Sequence, residues 1–133
     1  MARVLILDTE AVSALAEQRK GMAERLAAAQ QADHRVLIPA VVLAEVATGA
    51  PSDASIWHVL GKIPTLDLPQ GVAMRAGALR SRAQRVRRKK RDLTVDAIVA
   101  ATAVELAPSV VITADKSGLE LLLDGFDVKV SEV

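Results

Sequence analysis

The sequence predicts a single α/β domain of three layers, a five-stranded parallel sheet flanked by helices. Three observations lead there. Short aliphatic runs alternate with longer stretches of helical period, the order that builds parallel sheets from crossover units. The apolar half of the chain is Ala, Val and Leu, with Trp57 and Phe126 its only aromatics, a composition suited to closely packed helices on aliphatic strands. At 133 residues there is chain enough for one sizeable core, and two independent cores are not expected.

The expected strands are Arg3–Leu7, Arg35–Ile38, Thr65–Leu68, Ser109–Thr113 and Asp127–Val130. Four are nearly continuous in apolar residues or bracketed by turn signals, as buried parallel strands are. Helical periods fill the intervals at Thr9–Lys20, Met22–Ala32, Ala40–Thr48, Ser52–Lys62, Gln70–Val86, Thr94–Leu106 and Ser117–Leu123. Gly21 divides the first two helices, and Gly49-Ala50-Pro51-Ser52 should end one helix and cap the next. Pro108 stands just before the fourth strand, where it interrupts no helix. No repeat, linker or low-complexity tail is evident.

Composition excludes several classes. Without cysteine there are no disulfides and no thiolate zinc or iron–sulfur centres. The apolar run before Asp8 is four residues long, too short for a signal peptide or membrane span, so a cytoplasmic protein with no membrane partner is expected. The net charge of +1 conceals an asymmetry. Arg80, Arg82, Arg85, Arg87, Arg88, Lys89, Lys90 and Arg91 are eight of the seventeen basic residues, which leaves nine against sixteen acids elsewhere. Such a run can be a solvated helix face; as a functional segment it would attract a polyanion, most commonly nucleic acid.

Four acids stand at positions where chemistry is expected. In open α/β sheets sites form at the carboxyl ends of strands, near the point where strand order reverses. Asp8 follows the first strand directly, and Asp115 follows Val110-Val111-Ile112-Thr113-Ala114. Each could equally be a helix N-cap, although Thr9 could cap the first helix and release Asp8. Glu45 lies within Ala40-Val41-Val42-Leu43-Ala44-Glu45-Val46-Ala47, a helix apolar on nearly every side. A carboxylate there is costly without a cation or hydrogen-bond donors, unless it faces water on the polar edge. Asp96 occupies the first turn of the Ala-rich helix from Thr94, where the helix dipole favours an acid in any case. Clustered carboxylates repel one another unless a cation balances them, and oxygen-only ligands suit Mg²⁺ or Mn²⁺.

Leu7-Asp8-Thr9, Ala44-Glu45, Val95-Asp96-Ala97-Ile98-Val99-Ala100-Ala101-Thr102-Ala103 and Ile112-Thr113-Ala114-Asp115, in that order, resemble the PIN-domain nucleases. More narrowly, they are similar to the VapC toxins of toxin–antitoxin pairs. The likeness runs from about residue 4 to the C-terminus. It implies a metal-dependent endoribonuclease with Asp8, Glu45, Asp96 and Asp115 as the acidic set. Asp8, Asp96 and Asp115 would be the nearer metal ligands, and Thr9 and Thr113 would support them from outside. It also implies a homodimer and inhibition by a VapB-type antitoxin. The charge of the Arg80–Arg91 segment suits it to hold the RNA backbone that an acidic pocket alone would repel. Asp92 is an extra acid close to this set.

Other readings are weaker. A non-catalytic α/β module that binds RNA or a protein has no reason to keep Glu45 in an apolar helix. A receiver domain would want an acidic pair near the start and an acid ending a middle strand, but Asp8 is followed by Thr9 and Ile38-Pro39-Ala40 carries none. GxxxxGK[ST] is absent, and Glu10 stands where a haloacid-type phosphatase needs Asp. His34 and His58 should lie at the surface, Trp57 in the core or at a dimer contact, and Met22, Met74 and Leu119–Leu123 in packing.

Overall fold

A computed structural model describes residues 3–86 and 92–133. The chain runs β1 (Val4–Leu7), α1 (Thr9–Ala16), α2 (Met22–Gln31), β2 (Arg35–Pro39), α3 (Ala40–Val46), a 3-10 turn (Pro51–Asp53), α4 (Ala54–Leu60), β3 (Thr65–Leu66), α5 (Gln70–Val86), α6 (Thr94–Glu105), β4 (Ser109–Thr113), α7 (Lys116–Leu122) and β5 (Val128–Glu132). The five strands form one parallel sheet in the order β3-β2-β1-β4-β5. Helices α1 to α4 pack among themselves and α5 to α7 among themselves, and the two groups meet where α3 packs on α6. The expected α/β architecture is therefore the one observed.

The core explains the order. Leu5, Ile6 and Leu7 of β1 and Val111 and Ile112 of β4 are buried, as central parallel strands must be. On α6, Ala97, Ala100, Ala101 and Ala103 are almost wholly enclosed, so this helix lies close against its neighbours. The Ser109 hydroxyl donates to the Ala103 carbonyl at 2.7 Å and ties the start of β4 to the end of α6.

Several element ends differ from the sequence expectation, each for a local reason. The first helix stops at Ala16 rather than Lys20 because Gln18 turns into the left-handed region. The amides of Gln18 and Arg19 then bond back to the carbonyls of Leu15 and Ala14, closing the helix without glycine. Asp33 ends α2 in the same way, with His34 bonding back to Ala29. Helix α3 ends at Val46, and Ser52 does not cap its successor. Asp53 organises that loop instead, accepting from the amides of Thr48 and Gly49 at 3.0 and 2.8 Å. Strand β3 keeps only Thr65–Leu66, and β5 runs on to Glu132, paired with Thr113. Trp57 is 72% exposed and Met74 is 74% exposed, so neither is core, whereas Met22 and Leu119 are buried.

Candidate active site

Strand β1 is central, and the chain moves outward from it in one direction through β2 and β3, then resumes on its other side with β4. Strand order therefore reverses between β1 and β4, and in open α/β sheets sites form at the carboxyl ends of the strands at such a point. The register pairs Leu7 with Ile112, and the Asp8 amide donates to the Ile112 carbonyl at 3.0 Å. That pairing brings Asp8 and the Thr113-Ala114-Asp115 turn side by side.

Asp8 is 6% exposed. One carboxylate oxygen accepts from the Thr9 amide and the other from the Thr113 hydroxyl, each at 2.8 Å. Burial pushes the Asp8 carboxyl above the usual aspartate range; the two hydrogen bonds hold it down and the charge of Glu45 adds to the rise. Thr113 is 1% exposed and works in both directions, because its oxygen also accepts from the Asp115 amide at 3.0 Å. One hydroxyl thus links the two acids at the strand ends.

Asp115 caps α7, accepting from the Gly118 amide at 3.1 Å. Asp8 likewise caps α1, so Thr9 is not the cap the sequence suggested. Capping and site duty are compatible, since an ionised carboxylate offers about four acceptor positions. The Thr9 hydroxyl instead donates to Glu45 Oε1 at 2.5 Å. Glu45 is exposed, at the surface of α3 rather than enclosed by apolar side chains. Its charge therefore carries no burial penalty. What places Glu45 beside β1 is the hydrogen bond to Thr9 and the packing of α3 on both α1 and α6.

Asp96 is half-buried in the first turn of α6. Because α6 runs back along the sheet into β4, its N-terminus lies towards the carboxyl edge of the strands. Among the described residues no three of the acids or histidines converge into a ready-made metal cage. The donor set still fits a hard divalent ion. Mg²⁺ usually binds through one or two carboxylates and keeps several waters, and a carboxylate raised by burial, and less by a neighbouring acid, is relieved by such a charge.

The basic segment divides. Arg80 donates to the Thr94 hydroxyl at 2.8 Å. Arg82 donates to the Leu122 and Asp124 carbonyls at 3.0 and 3.2 Å, with its guanidinium 5.5 Å from the Phe126 ring centre. Both are already engaged inside the fold, while Arg85 is exposed. Arg87, Arg88, Lys89, Lys90 and Arg91 lie outside the described residues. Sequence reasoning missed the links Thr9–Glu45 and Arg80–Thr94, since neither pair has a spacing that announces contact.

A parallel five-stranded sheet with Asp8 and Asp115 side by side at its switch point defines the class, an open α/β domain with acids at the strand ends. Residues 5–120 match the PIN domain, and the chain belongs to that family. No curated protein matches it by sequence. Among solved structures it is similar to VapBC2 from Rickettsia felis, bound to a DNA fragment from its promoter, with a TM-score of 0.78, 14% identity and 98% of each chain covered. It is also similar to DNA-bound VapBC from Salmonella typhimurium, with a TM-score of 0.73, 18% identity, and 99% of this chain and 98% of that one covered. FitAcB from Neisseria gonorrhoeae gives 0.59 at 23% identity, with 95% of each chain covered. At these identities the likeness is one of fold. No helix among the described residues is long and apolar enough to cross a membrane.

Proposed function

We propose that this protein is a metal-dependent endoribonuclease, the VapC-type toxin of a type II toxin–antitoxin pair, acting in the cytoplasm as a homodimer restrained by a VapB-type antitoxin. The observation that carries the catalytic reading is the buried carboxylate of Asp8, joined through Thr113 to the turn of Asp115 at the β1/β4 switch point. Membership of the PIN family and the likeness to chains from VapBC and FitAcB complexes support the toxin–antitoxin setting.

Asp8, Asp96 and Asp115 would hold Mg²⁺ or Mn²⁺. Bound there, the ion supplies charge neutralisation on the phosphodiester and activation of water. Thr113, by donating to one Asp8 oxygen, restrains the rotamer of that carboxylate. Glu45, held by the Thr9 hydroxyl, orients the attacking water and can take its proton. The acids at the strand ends repel an RNA backbone, so Arg85 and the Arg87–Arg91 run supply the attraction; backbone contacts bring affinity and salt dependence rather than base choice.

The lack of three converging acids among the described residues favours one other reading, a domain that binds RNA or a partner without cutting. Incubating the protein with total cellular RNA in Mg²⁺, Mn²⁺ or EDTA, beside Asp8→Asn, separates them. Discrete cleavage that needs metal and disappears in the variant establishes the nuclease. Intact RNA in every lane, with no heat of metal binding by calorimetry, overturns the nuclease reading and favours the binding module.

A further inference from the structure

The entry into α6 carries a hydrogen-bonded chain that the catalytic reading leaves unused. Asp92 Oδ1 accepts from the Thr94 amide at 3.0 Å and from the Thr94 hydroxyl at 2.6 Å. From α5, Arg80 Nη1 donates to the same hydroxyl at 2.8 Å. Small side chains on the facing helices, Ala73, Ala76, Gly77 and Ala97, leave a cleft of about 230 Å³ across which Arg80 reaches Thr94. The Thr94 hydroxyl gives its one hydrogen to a carboxylate and takes one from a guanidinium, so its rotation is fixed from both sides. These bonds, with the charge of Arg80 behind them, hold the Asp92 carboxyl below the usual aspartate range.

Thr94 is the first residue of α6 and Asp96 the third. We propose that Arg80 and Asp92 are positioning residues that act through Thr94 to fix the turn carrying Asp96. The proposal rests on the nuclease reading above and gives both charges a role other than RNA contact or metal ligation. A metal ligand on a helix terminus is useful only if the terminus is held to within about 0.5 Å, and helix first turns are otherwise where fraying begins. The Ala97 amide makes the first intrahelical bond, to Leu93 at 2.8 Å, so it and the Ile98 amide report on that turn.

The test compares wild type with Thr94→Val, Thr94→Ser and Arg80→Gln. It reads amide exchange at Ala97 and Ile98, Mn²⁺ binding by calorimetry, the Mg²⁺ dependence of RNA cleavage, and the salt dependence of RNA binding. Thr94→Val should speed exchange of both amides and weaken Mn²⁺ binding, each about fivefold, as loss of a helix cap does. Thr94→Ser should restore both. Arg80→Gln should follow Thr94→Val with an unchanged salt slope. Two results overturn the proposal: Thr94→Val indistinguishable from wild type while wild type cuts RNA, or Arg80→Gln lowering the salt slope by about one with Mn²⁺ affinity intact. Wild-type protein that binds no Mn²⁺ and cuts no RNA overturns the nuclease reading itself, and the positioning role with it.

Discussion

Replacing Thr113 with valine keeps the volume of a side chain that is 1% exposed but deletes the hydroxyl that joins the two strand ends. The hydroxyl donates to an oxygen of Asp8, and bonds to charged groups contribute about 1.5–3 kcal/mol. It also accepts from the Asp115 amide, whose loss of a partner costs about 1 kcal/mol more. No cavity is made, so Thr113→Val should cost about 3 kcal/mol, near 10 °C in melting midpoint for a chain of this length. Thr113→Ser keeps both bonds and loses one methyl, at about 1 kcal/mol. The difference is also pH-dependent. The Thr113 bond favours ionised Asp8, so its contribution is complete above the Asp8 titration and disappears as pH falls through it. Thermal and urea melts of the three proteins at pH 7 and in mild acid measure this directly. A Thr113→Val protein within about 0.5 kcal/mol of wild type at pH 7, or equal to Thr113→Ser, refutes the bridging role.

Further expectations concern the same site. Burial raises the Asp8 carboxyl, with the Glu45 charge adding to it. The stability Asp8 confers is therefore complete below the usual aspartate range and is lost as pH rises through the raised value. Wild type should thus lose stability relative to Asp8→Asn as pH rises through the raised value, while cleavage by the variant falls about 100-fold or more; a gap that moves the other way with pH contradicts the sign. Glu45→Gln keeps an acceptor for Thr9, so melting should stay within about 0.5 kcal/mol while cleavage drops roughly tenfold; unchanged cleavage removes Glu45 from the site. Arg82→Ala should cost about 2 kcal/mol through its carbonyl bonds and Phe126, with RNA binding and its salt dependence unaltered. Substituting Arg85, Arg87, Arg88, Lys89 and Lys90 with Ala should do the reverse, flattening the salt dependence at constant stability.

Much of the fold is legible in the sequence alone. The runs Val4–Leu7 and Ser109–Thr113 read as strands because central parallel strands are apolar on both faces, and α5 was readable end to end at Gln70–Val86. Edge strands were read less well, since β5 alternates partly buried and exposed residues and β3 is held to two residues between prolines. The end of α1 is not legible because a non-glycine takes the left-handed turn: Gln18 leaves no sequence signal as glycine does. Hydropathy places Glu45 in an apolar helix, yet α3 turns that residue outward; hydropathy describes a segment, and the facing of one residue is set by what the helix packs on.

Alternation of aliphatic runs and helical periods by itself determined one α/β domain with acids at the strand ends, because those patterns report burial and burial sets the layers. The pairing of Asp8 with Thr113, of Thr9 with Glu45 and of Arg80 with Thr94 was decided only in the tertiary structure. These partners are brought together by strand order, register and helix packing. Each of those depends on contacts between residues 14 to 105 positions apart, which no local pattern encodes.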